Sequence, residues 1–241
     1  RQQFEQPDDG QIDAMLTQAG QAEVLFNQHH WPVWGREPIA RFLRSQRDAY
    51  RYIHDQSVRG LNRGLTAPEI AETLRMPASL ERDFSVRGYY GTVRHNVRAV
   101  AQHYLGWFDA HPATLDPLPP VQAARRYVAL AGGAQAALAQ AQAAFDQADY
   151  RWTAELLRHV VLADAGNRAA RELQARAFEQ LGFQAESTAW RNVYLTGAQE
   201  LRHDLPPPRP IGLGASALLA HVPTERLLQA LATHLDGHAA D

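Results

Sequence analysis

The sequence predicts a mainly α-helical protein, on three observations. Apolar residues recur at helical spacing along most of the chain, and a single short run reads as a strand. From residue 121 to about 202 the helical pattern continues with a weak repeat of 33 residues.

The elements follow in order. Gln11 to Gly20 reads as a short helix with Ile12, Met15, Leu16 and Ala19 on one face. Ala22 to Phe26 is a compact apolar run that ends at polar Asn27 and Gln28, and it reads as one buried strand. A strand alone makes no sheet, so its partner strands are expected to lie elsewhere in a larger domain. Glu37 to Leu61 is a long helix, with Ile39, Phe42, Leu43, Tyr50, Ile53 and Val58 at its apolar positions. A further helix starts at Thr66, where Thr66 and Glu69 have capping-box spacing and Pro68 sits in the first turn. Arg87 to Thr92 is an aromatic loop bracketed by glycines, and a helix runs from Val93 to about Trp107.

His111 to Pro120 is a proline-rich connector and a candidate domain boundary. Beyond it, helices are expected to break at Gly132-Gly133, near Asp149, at Gly166 and at Gly182. The repeat pairs Ala144-Phe145 with Ala177-Phe178, Tyr150 with Phe183, and Leu157 with Trp190. It resembles the helical hairpins of tetratricopeptide proteins. Pro206 to Pro210 reads as a stiff linker before one last amphipathic helix, Thr224 to Leu235.

Composition narrows the chemistry. The 241 residues suffice for one large domain or two small ones, and the formal charge of -2 gives no footprint for nucleic acid or a polybasic membrane patch. The chain has no cysteine, which excludes disulfides, thiolate metal sites and cysteine nucleophiles. No apolar run approaches the roughly 20 residues of a membrane span. Arg1-Gln2-Gln3-Phe4 does not resemble a signal peptide, and the chain is expected to be part of a longer protein at both ends.

The segment richest in chemistry is Val24 to Gly35, where the strand runs into His29-His30 and a Trp-Pro-Val-Trp-Gly turn. Imidazole is the commonest protein ligand for zinc, and strand ends hold ligands rigidly. Adjacent residues of an extended chain point to opposite sides, so at most one of the pair is expected to face a given metal. On the residues alone, two structural histidines packed beside tryptophans explain the segment equally well.

The run His29-His30-Trp31-Pro32-Val33-Trp34-Gly35 resembles the segment that carries the last zinc-ligand histidine of the alkyl sulfatases. These are enzymes of the metallo-β-lactamase superfamily. Other stretches resemble the same family in the same order. They are Tyr52 to Gln56, Arg87 to Gly91, His95 to Val100, Tyr104 to Asp109, Pro112 to Leu118, Asn167 to Leu173 and Glu179 to Gly182. The resemblance spans roughly residues 20 to 205.

The resemblance implies three parts. Residues 1–101 would be the C-terminal remnant of a metallo-β-lactamase αββα catalytic domain. Residues 102–205 would be an all-α dimerisation domain, and residues 206–241 a linker and the first helix of a sterol-carrier-like domain. It further implies a homodimer, and hydrolysis of an alkyl sulfate such as dodecyl sulfate to alcohol and sulfate at a binuclear zinc centre. A periplasmic or secreted setting is implied as well. Aligning Pro32 and Gly35 with the superfamily's turn makes His30 the zinc ligand, with His29 the alternative if the register slips by one. Tyr104 is the first candidate for contact with the sulfate and Tyr90 the second; a core aromatic with a satisfied hydroxyl is the plain reading of each. Arg94, His95 and Asn96 could line the same pocket. The family's His-x-His-x-Asp-His zinc motif is not in this sequence, and His234-Leu235-Asp236-Gly237-His238 has the wrong spacing for it. The chain alone would therefore lack most zinc ligands and be inactive, with no catalytic residue of its own. A second reading is a tetratricopeptide-like interaction module without catalysis, which the strand and its histidines disfavour.

Overall fold

The computed structural model describes residues 9–203, 220–232 and 235. They fall in two compact units, residues 1–202 and 203–241. The proline-rich stretch at 206–210 and the histidines at 234 and 238 lie outside the described residues.

The first unit opens with helix α1 (Asp9–Ala19) and a two-stranded antiparallel hairpin, β1 (Val24–Asn27) and β2 (His30–Trp34). The hairpin corrects the expectation of a lone strand: the partner is the very next segment. Val24 pairs with Trp34, Leu25 with Val33, and Asn27 with His30, with a bulge between Leu25 and Asn27. What reads as a Pro/Gly turn is the second strand. The reversal is made instead at Gln28-His29, where Asn27 Oδ1 accepts the His29 N–H at 3.1 Å. That side-chain turn replaces the Asn-Gly or Asp-Gly pair that would have flagged a hairpin. Gly35 then turns the corner at φ 87°, a conformation few side chains tolerate, and its N–H donates to Glu23 O at 2.8 Å.

A bare hairpin is marginal in water. This one is held because Leu25 and Val33 pack on the cluster of Ile12, Ala19, Ile39, Phe42 and Leu43, formed by α1 and the long helix α2 (Arg36–Asn62). Below them, α2 packs with α3 (Ala67–Thr73) and α5 (Val93–Leu105) around Ile53, Ile70, Ala71 and Val97. Helix α3 starts where the Thr66 N–H donates to Glu69 Oε2 at 2.8 Å. A short α4 (Ala78–Glu81) and a 3₁₀ turn (Phe84–Val86) lead to the glycine-bracketed loop.

The second half of this unit is helical throughout: α6 (Pro120–Leu130), α7 (Ala134–Asp146), α8 (Tyr150–Ala163), α9 (Arg168–Gln184) and α10 (Thr188–Arg202). Helices α7 and α8 form one hairpin and α9 and α10 the next, as the repeat predicts. Ala137, Ala141, Leu156, Leu157, Val160, Ala170 and Leu173 make their core. The break expected at Gly182 does not occur, because α9 runs through it to Gln184. Gly182 is buried against α10, and a Cβ there would lie 3.0 Å from Leu195 Cγ and Cδ2. The glycine serves close helix packing. The boundary expected at residue 101 falls inside α5, within the first compact unit. In the second unit, α11 (Thr224–Ala232) is the described helix. Among the described residues, no helix is long and apolar enough to cross a membrane.

Candidate active-site cleft

A cleft of about 890 Å³ opens between the hairpin turn, the middle of α2 and the aromatic loop. Its lining mixes apolar Ile12, Met15, Phe42, Leu43 and Ile53 with polar Asn27, His29, Gln46, Arg87 and Asn96. His30, Tyr50, Tyr89 and Tyr90 also line it.

Both histidines face this one space. His29 belongs to the turn and only His30 to the strand, so the side-to-side alternation of an extended chain does not govern the pair. The His29 ring stacks on Tyr90, with centroids 3.7 Å apart and planes at 11°. His30 sits against Phe42 at 4.8 Å and Tyr89 at 6.1 Å. Its Nδ1 lies 2.7 Å from the carbonyl oxygen of Trp31. A carbonyl only accepts, so Nδ1 carries the hydrogen, and in the neutral ring the lone pair is left on Nε2. That Nε2 is buried and has no hydrogen-bond partner within the chain. A ring whose one nitrogen is tied to a carbonyl while the other offers a buried lone pair is arranged as metal-ligand histidines are. His30 thus fits a metal as one ligand. Among the described residues, no three of His, Cys, Asp and Glu gather closely enough to hold a metal ion.

The root of the aromatic loop is pinned to α2. Asp83 accepts from Ser45 Oγ at 2.6 Å, from Ser85 N at 2.9 Å and from Ser85 Oγ at 2.8 Å. Burial pushes the Asp83 carboxyl up, but these donors outweigh it and hold the group below the usual aspartate range. Burial raises the Tyr50 hydroxyl, and burial followed by the charge of Asp83 raises that of Tyr89. Both phenols stay protonated at neutral pH and can donate.

The two candidate tyrosines part company. Tyr90 lines the cleft. Tyr104 does not; it is 54% exposed on α5, with its hydroxyl hydrogen-bonded to His54 Nε2 at 2.7 Å. His54 Nδ1 in turn lies 2.9 Å from Asp55 Oδ1. Asn96 reaches the cleft, whereas Arg94 pairs with Glu72 on α3 and His95 meets Trp190 of α10. Tyr50, Tyr89 and Arg87 escaped the sequence reading as cleft residues. The glycines around Tyr89-Tyr90 marked the loop, but nothing in the sequence joined Tyr50, placed mid-helix, to it.

Residues 66–204 match the family described as alkyl sulfatase dimerisation. The chain belongs to that family. Alkyl sulfatase relatives extend the likeness upstream of the matched region. The alkyl/aryl-sulfatase BDS1 of Saccharomyces cerevisiae is 54% identical over 202 residues, which cover 83% of this chain and 31% of that protein. An (R)-specific secondary-alkylsulfatase of Pseudomonas is 50% identical over 199 residues, covering 82% of this chain and 30% of its own length. Among solved structures, the stereoselective inverting sec-alkylsulfatase Pisa1 from Pseudomonas superposes with a TM-score of 0.80 at 48% identity, covering 83% of this chain and 32% of that one. The chain thus spans about a third of the length of the alkyl sulfatases it matches.

Proposed function

We propose that this chain is the part of a zinc-dependent alkyl sulfatase that supplies one metal ligand and one wall of the hydrolytic cleft, with its helical half mediating homodimerisation. The observation that carries the reading is His30, whose tautomer is set by Trp31 O and whose Nε2 lone pair is buried and unpartnered beside an amphiphilic cleft. Its remaining co-ligands would come from the rest of the enzyme. When bound, a zinc pair supplies Lewis acidity and lowers the pKa of a water toward neutrality. The chain's own residues bind and orient. His30 holds a lone pair at Nε2, aimed before any ligand arrives. Tyr90, braced by His29, offers a hydroxyl from the cleft wall to a sulfate oxygen. The apolar lining residues, Ile12, Met15, Phe42, Leu43 and Ile53, offer contact to an alkyl tail, which suits a detergent-like ester such as dodecyl sulfate. Tyr104, tied to His54, is the less favoured sulfate contact.

The test uses the whole sulfatase. Loss of an outer partner of a zinc ligand costs about 10- to 100-fold in affinity or activity, so His30→Ala is expected to cost more than about a hundredfold in dodecyl sulfate turnover and to lower bound zinc. His29→Ala is expected to keep its zinc. Full zinc and full rate in His30→Ala would remove this residue from the site.

A further inference from the structure

The turn between α9 and α10 belongs to the helical half, yet it grips the aromatic loop. Ser187 Oγ donates to the carbonyl of Tyr90 at 2.6 Å, across 97 residues of sequence. The N–H of Thr188 donates to the carbonyl of Tyr89 at 2.9 Å. Glu186 pairs with Arg87 at 2.5 Å. Trp190 Nε1 donates to His95 Nδ1 at 3.3 Å. Ser187 is buried, and its Oγ also accepts the Trp190 N–H at 3.3 Å.

We propose that Ser187 and Trp190 are positioning residues, and that the α9–α10 turn is a clamp that sets the cleft's aromatic wall. This rests on reading the cleft as the sulfate-ester site. Two successive loop carbonyls are fixed by donors from the far half, so the Tyr89 and Tyr90 side chains have one preferred setting against His30 and His29. Such fixing before the substrate arrives is what a site needs to hold reacting groups in register. An indole N–H can only donate, so His95 accepts at Nδ1 and, when neutral, carries its hydrogen on Nε2. The helical half therefore does more than join two subunits; it completes the wall.

The test starts on the chain itself. Trp190→Phe keeps a ring but removes the donor, and side-chain ¹⁵N spectra are expected to show His95 shifting toward the Nδ1–H tautomer. Ser187→Ala is expected to weaken the nuclear Overhauser contact between the His29 and Tyr90 rings by about twofold or more, and Ser187→Thr, which keeps the hydroxyl, to restore it. Circular dichroism reports whether each variant folds. If Ser187→Ala loses helix, Glu186→Ala, which removes the acceptor for Arg87, takes its place with the same readout. Folded variants with unchanged tautomer and ring contact overturn the clamp. In the whole sulfatase, Trp190→Phe and Ser187→Ala are expected to lower kcat by about tenfold with zinc retained. A displaced ring contact with full turnover would leave the clamp standing and remove the cleft as the sulfatase site.

Discussion

Asp83 is a small anchor with large leverage, because three donors converge on it at the root of the aromatic loop. Asp83→Asn removes the charge and leaves at least one donor poorly met. It is expected to cost about 1–2 kcal/mol near pH 7, read from urea midpoints. The pH dependence has a definite sign. The folded carboxyl titrates below its unfolded value. Its contribution is complete above the unfolded aspartate pKa of about 3.9 and is lost as pH falls through the lower folded value. The gap between wild type and Asp83→Asn should therefore narrow toward pH 3, and an unchanged gap would argue against the anchor. At His30, side-chain ¹⁵N spectra of the chain should show hydrogen on Nδ1. A dominant Nε2–H form would remove the free lone pair. The sequence singled out the His29-His30 pair because the flanking tryptophans, proline and glycine make a specific string. The geometry of His29 was not legible there, because strand alternation presumes a strand, and the two-residue turn at Gln28-His29 holds no glycine to announce it.

At the scale of elements, the helices were legible wherever apolar spacing was regular, and the misreadings fall on glycine and proline. Pro32 reads as a turn residue but lies in β2. Gly182 reads as a break but lies within α9, because the space it opens is filled by Leu195, a residue of the next helix. A sequence window contains the glycine without the neighbour that explains it. Gly60 repeats this lesson in α2, where a Cβ would come within 2.7 Å of Ile70 Cγ1 and Cδ1. Alanine would gain about 1 kcal/mol of helix propensity. Overpacking against two atoms of a buried isoleucine costs about 1–3 kcal/mol. Gly60→Ala is thus expected to destabilise on balance, by about 1 kcal/mol, in a thermal or urea melt. Gly20→Ala, with nothing within 4 Å of its Cβ, should stay within about 0.5 kcal/mol of wild type. Greater stability in Gly60→Ala would show that Ile70 yields.

For the molecule as a whole, the proposed homodimerisation predicts an exposed apolar contact surface. From residue 102 to 122 every side chain except Phe108 is exposed. Leu105, Trp107, Leu115 and Leu118 stand among them, and Asp109 and Asp116 are the only carboxylates. Apolar, charge-poor surface is what interface cores are made of. Sedimentation of the chain is expected to show a dimer, and Trp107→Ser with Leu115→Ser to shift it to monomer while helix content holds. A dimer that survives both changes would place the contact elsewhere. The sequence marked residues 111–120 of this stretch as a connector, since prolines announce a loop but not what it touches.

The span of 97 residues between Tyr90 and Ser187 also has a consequence for biosynthesis. At about 5–20 residues per second, the ribosome exposes the aromatic loop roughly 5 to 20 seconds before the residue that fastens it. Through that interval the nascent chain carries an unfastened wall. A nonsense codon ahead of residue 187 would leave the Tyr90 carbonyl without the Ser187 donor, and a pause there would only lengthen the wait for it.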